Sequence, residues 1–267
     1  LEVSPAGNVT LTDLTCNQTY PNLITYKDCG ETGDGWSSRP PVPDLVTYCG
    51  SASSVAIVSD GPSRSTFCIT HHLNLPTRMD YHRQFTRRSA FTNILEIKTY
   101  LSLEQHSKVI NCRTIVKNSI KDHRFVLSLQ TGIPSKCYYA EQAFTFVERP
   151  VQRDHTTQNW KEAEREEKAF GNILYRKRTD GSGFAFLSGG GLHEAAAHPG
   201  KEGRIDVTLF RSFEKTFLTN GQPDGQLEGE LTFEYALMPF AEGTSNVELL
   251  NTADAMRVQP FSFTTRN

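Results

Sequence analysis

The sequence is 267 residues long, 37% hydrophobic and 10% aromatic, enough for a packed core in one large β-domain or two small ones. With 28 basic and 30 acidic residues the formal net charge is −2, which leaves no basic field to hold nucleic acid and no block of like charge to form a tail. No run approaches the ~18 apolar residues of a membrane span, so no membrane partner is expected.

Leu1 to Thr10 already reads as a strand rather than a signal peptide. A sequence that opens on a strand without an initiating Met is expected to be a fragment. Two N-x-S/T sequons follow, Asn8-Val-Thr and Asn17-Gln-Thr, and make Asn8 and Asn17 candidate glycosylation sites. The six cysteines, Cys16, Cys29, Cys49, Cys68, Cys112 and Cys137, all lie in the first 137 residues, and no CxxC pair occurs. An even count permits up to three disulfides in 15 connectivities and disfavours a zinc ribbon. Cysteines and sequons together point to a secretory setting, lysosomal or extracellular, with cytosolic free thiols and unused sequons as the alternative.

The stretch Tyr26 to Pro43, YKDCGETGDGWSSRPPVP, is a shaped loop, since glycines and prolines of this density break strands and helices. Trp36 sits among Asp28, Glu31 and Asp34. An indole face packs on sugar C–H groups, and carboxylates accept sugar hydroxyls, so Trp36 and Asp34 are substrate-binding candidates. The plainer alternative is a structural loop with a half-buried tryptophan and carboxylates bonded to the loop's own backbone.

Beyond the loop, alternation dominates. Leu95, Ile97, Leu101 and Leu103 form one stripe; Phe125, Leu127 and Leu129 another; Ile205, Val207 and Leu209 a third; Leu231, Phe233, Tyr235 and Leu237 a fourth. Turns separate the strands at Thr131-Gly132-Ile133-Pro134, Asp180-Gly181-Ser182-Gly183, His198-Pro199-Gly200 and Pro223-Asp224-Gly225. The pattern predicts an all-β sandwich. Gln152 to Lys168 is polar without an apolar face, which predicts an exposed connection rather than a packed helix. The expected organisation is a first β-part over 1–151, a connection over 152–170, and the remaining, smaller β-subregion over 171–267.

Among titratable residues, His71 and His72 are adjacent in a strand and point to opposite faces, so they do not share a metal ion. Arg211 continues the stripe of Ile205, Val207 and Leu209 and is expected on the buried side. It is then either a cleft residue or the partner of a loop carboxylate. His123 reads as a structural histidine at a turn. His193 and Glu194 follow three glycines that let a ligand approach the backbone.

Several segments, taken in order, resemble the C-terminal β-region of glycoside hydrolase family 38, the retaining α-mannosidases. Gly33, Asp34, Trp36, Pro40 and Pro41 fit the family's GDxY…PP loop, with Trp36 where tyrosine is usual and Cys29 where glycine is usual. NSIKDHRFVLSL, YAEQAFTFVERPV, GFAFLSGGGLHE, GRIDVTLFRS and GELTFEYALMPF match further family segments in sequence order. The resemblance implies a β-supersandwich, like that of galactose mutarotase-like domains. It also implies an α-mannoside or other carbohydrate as substrate and an N-terminal catalytic α/β domain as partner. The family's zinc and both catalytic carboxylates belong to that domain, so no catalytic residue, metal or other cofactor is expected within these 267 residues; no His-x-Asp motif occurs. Near the bound sugar the family places the loop aromatic and the arginine of the LFRS strand, here Trp36 and Arg211. Two alternatives stand beside this reading: a stand-alone carbohydrate-binding module centred on Trp36, and a mutarotase-like aldose epimerase using His123, His193 and Glu194.

Overall fold

A computed structural model describes residues 1–82, 85–160, 164–214 and 225–258. The expected turn at Pro223-Asp224 and the polar residues Lys161 and Glu162 lie outside the described residues. Two large antiparallel sheets face each other. In spatial order the nine-stranded sheet runs Thr145–Pro150, Cys137–Gln142, Ile173–Lys177, Gly183–Ser188, Gly229–Phe240, Ile110–Asn118, Thr92–Glu104, Arg64–Pro76, Ser54–Asp60. The six-stranded sheet runs Lys168–Ala169, Glu194–Ala197, Arg204–Ser212, His123–Gln130, Ile24–Gly30, Thr47–Tyr48. Strands from both sides of residues 152–170 enter both sheets, and Cys137–Gln142 pairs directly with Ile173–Lys177.

The core lies between the sheets, where the alternating stripes meet. Leu95, Ile97, Leu101, Phe125, Leu127, Leu129, Ile205 and Val207 are buried within one cluster. Tyr26 and Phe125 stack at 5.6 Å between ring centroids. The Tyr26 hydroxyl crosses the layer to Thr99 Oγ1 at 2.6 Å and Thr114 Oγ1 at 2.9 Å, and Thr114 continues to the Tyr235 hydroxyl at 3.0 Å. The chain of hydroxyls satisfies polar groups that would otherwise be costly in an apolar layer. Burial pushes the Tyr26 phenol up to about 12, so it stays neutral.

The outer face of the six-stranded sheet is polar. Asp206 accepts from Ser128 Oγ at 2.5 Å and from His198 Nε2 at 2.9 Å, and it pairs with Lys27. Burial works against its charge, but the His198 hydrogen bond and the Lys27 charge outweigh it and hold the carboxyl far below the usual range. Arg124 reaches Glu167 at 2.6 Å, and His198 lies 3.6 Å from Glu166. The polar segment after residue 152 is therefore tied to this face by its acidic residues. It also carries a short 3-10 turn, His155–Asn159, capped by Asp154.

Three findings depart from the sequence reading. First, all six cysteines are free, so the expected disulfides do not form. Cys68 and Cys112 show why: Thr92–Glu104 lies between their strands, and two strand spacings of about 4.8 Å exceed the ~7 Å that a disulfide spans between Cα atoms. Second, the register between His123–Gln130 and Arg204–Ser212 slips at a β-bulge: Phe125 faces Phe210 while Val126 faces Thr208. Leu209 is the extra residue, Phe210 takes the core side, and Arg211, opposite Arg124, leaves the core stripe for the outer face. Third, residues Asn246–Arg257 form a helix on the far side of the nine-stranded sheet. Ser245 caps it by accepting from Glu248 N at 3.2 Å, and Leu249 and Ala253, one turn apart, pack with Ile173, Tyr175, Met238 and Phe240.

Candidate carbohydrate-contact loop

The loop after strand Ile24–Gly30 is built around one carboxylate. Glu31 is wholly buried. It accepts from Gly33 N at 2.8 Å, Arg39 N at 2.7 Å, Ser38 Oγ at 2.6 Å and Arg211 Nε at 2.9 Å. Arg211 also donates to the Asp34 carbonyl at 2.7 Å and lies over the Phe213 ring at 5.2 Å. A buried carboxylate needs such a set of donors, and a buried arginine needs such a partner. Gly33 is required by space: a Cβ there would sit 1.9 Å from the Ser37 carbonyl and 2.8 Å from Arg39 N.

Asp34 closes the tip. Its Oδ1 accepts from Trp36 N at 2.9 Å and Ser37 N at 2.8 Å, and these two donors hold its carboxyl below the usual range. Trp36 is left 84% exposed at the apex. Glu31 and Asp34 are therefore bonded to loop backbone, Arg211 is the ion-pair partner of the loop, and the Trp36 side chain is left exposed. Glu31, whose burial no spacing announced, is the residue that brings Arg211 and the loop together.

The DHR run of the sequence anchors this end of the sandwich from three sides. The Asp122 carbonyl accepts from Glu31 N at 2.9 Å. His123 Nδ1 is 2.6 Å from Asp28 Oδ1, and Arg88 donates to Asp28 Oδ2 at 2.5 Å, all three side chains being buried. Arg124 extends outward to Glu167. Asp28 is thus occupied in the core and does not join the loop surface.

The other candidates lie apart. His123 has no exposed surface. His193 contacts the Gly171 carbonyl at 2.9 Å, and Glu194 accepts from Thr208 at 2.7 Å, so His123, His193 and Glu194 do not face one cleft. His72 lies 3.4 Å from Glu96 while His71 sits edge-on to Tyr26, on opposite faces of their strand. Among the described residues no three His, Cys, Asp or Glu side chains converge as a metal site. Asn8 and Asn17 are both exposed, Asn17 in a left-handed turn at φ 51°.

No protein-family model matches the sequence. A protein of Halalkalibacterium halodurans named "Putative mannosylglycerate hydrolase" is 26% identical over 255 residues, which cover 87% of this chain and 27% of that protein. The chain thus spans about a quarter of its curated relative's length. An α-mannosidase of Enterococcus faecalis V583 superposes with a TM-score of 0.85 at 22% identity, over 96% of this chain and 30% of that one. A glycosyl hydrolase family 38 protein of Enterococcus faecalis gives 0.82 at 21% identity, over 96% and 31%. In sequence and in fold this chain is similar to the C-terminal β-region of glycoside hydrolase family 38.

Proposed function

We propose that this chain is the non-catalytic β-region of a retaining α-mannosidase. It would form one wall of the cleft for an α-mannoside and stabilise a catalytic α/β domain that carries the zinc and the two carboxylates. The observation that carries this reading is the loop clamped by Glu31 and Arg211. Four donors fix the buried carboxylate, yet the structure they fix presents an exposed indole. Rigid presentation of an aromatic is what a sugar-binding wall requires, because the entropy of ordering it is already spent.

The surroundings support a partner domain on the same side. Val42 and Leu45 of the loop are exposed, as are Phe85 and Phe91 on either side of Arg88, which donates through Nη1 to the Leu45 carbonyl at 3.3 Å. Exposed apolar side chains at this end are what a covering domain would pack against. The sequons and a secretory setting belong to the same proposal, with Asn8 and Asn17 as its acceptors.

Two measurements test the reading. The 267-residue chain alone is expected to hydrolyse an aryl α-mannoside no faster than a buffer blank; turnover by it would overturn the non-catalytic role. The intact mass of the native polypeptide is expected to be several times that of this chain. A native product of this length would instead favour a stand-alone carbohydrate-binding module, which the exposure of Trp36 also suits.

A further inference from the structure

A sheet edge is a row of unpaired backbone N–H and C=O groups, and natural sheets guard it with short strands, charges or proline. Among the described residues, three of the four edges of the two large sheets follow this rule. Lys168–Ala169 and Thr47–Tyr48 are two residues each, and Thr145–Pro150 carries Glu148 and Arg149 and ends on proline. The fourth edge differs. Ser54–Asp60, SVAIVSD, is seven residues long, with no proline and no charge before Asp60. Its one guard is a β-bulge: Ile57 faces Phe67 and Ser59 faces Thr66, so Val58 is the extra residue. Around that bulge Ile57 is 60% and Val58 53% exposed, side by side.

The chemistry of this edge says what pairs with it. A backbone row takes an extended strand, not a helix or a small molecule. The incoming strand must be apolar in its middle to cover Ile57 and Val58, and it has no charge there to match. Ser54–Asp60 meets these terms itself. Counted along the sequence, an antiparallel pair of two copies with its two-fold axis at any residue from Val55 to Ser59 sets Asp60 against Gly50, Ala52, Ser54, Ala56 or Val58. No such register opposes like charges. With the axis at Ile57, Ala56 faces Val58, and the apolar middle covers itself. The edge also lies clear of the apolar side chains at the loop end. It pairs with Ser65 to Thr70, which face Leu103 to Lys98 of strand Thr92–Glu104, whereas Phe91 adjoins Thr92. At ~3.3 Å per residue, Thr92 and Lys98 are roughly 20 Å apart.

We propose that Ser54–Asp60 is a dimerisation edge, which pairs antiparallel with the same strand of a second copy of this chain across a two-fold axis. Such a contact uses both open edges and closes at two copies. Sedimentation velocity of the 267-residue chain at about 100 μM, a concentration suited to a small and transient interface, is expected to show a dimer. Ile57→Lys and Ile57→Glu change an exposed side chain, so folding is not at stake. In a two-fold contact each new charge meets its own copy, and each variant is expected to dimerise about tenfold more weakly or worse. An equimolar mixture of the two variants is expected to restore the dimer, because lysine then faces glutamate. The proposal is overturned if the parent chain is monomeric at that concentration, if both variants dimerise as the parent does, or if the mixture stays monomeric.

Discussion

The two faces of the six-stranded sheet are held by different physics. On the inner face Tyr26, Phe125, Leu127, Ile205 and Val207 exclude water, and any side chains of similar shape would do nearly as well. On the outer face Lys27, Asp206, Ser128, His198, Arg124 and Glu167 are held by partners, each needing its counterpart in place. Burial is almost equal on both sides of strand His123–Gln130, since seven of its eight residues are buried. The inner face specifies the sandwich, and the outer face specifies where the acidic segment after residue 152 lies against it.

The sharpest break of this contrast is Phe125→Ala. It removes a ring that stacks on Tyr26 and tilts against Phe210 at 5.7 Å, and it should cost about 3–5 kcal/mol in denaturant unfolding. A loss under about 1 kcal/mol would mean that the inner face is not the main source of stability.

On the outer face, Asp206→Ala strands Lys27 and should cost about 3 kcal/mol. Here pH gives a second reading. The folded carboxyl is held below its unfolded value, so its contribution is complete above the unfolded pKa of about 3.9 and fades as pH falls through the folded value. The parent should therefore lose more stability than the variant on acidification below about pH 4. Parallel acid curves for the two proteins would show that Asp206 does not carry this dependence.

The smallest effect is expected at Trp36→Ala. The side chain is exposed and only its backbone N–H is used by the loop, so stability should change by no more than about 0.5 kcal/mol. A large loss would mean that the indole braces the loop rather than being presented by it.

The sandwich itself was legible because alternation is a direct print of a half-buried strand, as at Leu95, Ile97 and Leu101. The loop was legible from its glycines only from Glu31 on, where Gly33 leaves no room for a side chain; Tyr26–Gly30, read as part of it, pairs instead as strand Ile24–Gly30. Arg211 was legible as the partner of a loop carboxylate, the alternative to a cleft residue, but not in its direction. Period-two counting fails wherever a bulge adds a residue, and nothing about Leu209 marks it as the one that slips. The burial of Glu31 was hidden for another reason: its donors come from residues 33, 38, 39 and 211, and the last is distant in sequence. The helix Asn246–Arg257 was missed because only Leu249 and Ala253 are buried, too narrow a stripe to stand out.

Strand Gly229–Phe240 fills the gap between Ile110–Asn118 and Gly183–Ser188 in the middle of the larger sheet. During synthesis that sheet cannot close until residue 240 has left the ribosome. Until then two long hydrogen-bonding edges stand open, and pairing with another nascent copy competes with the native strand. The order of strands thus leaves this sheet open to mispairing for the whole interval before residue 240 emerges.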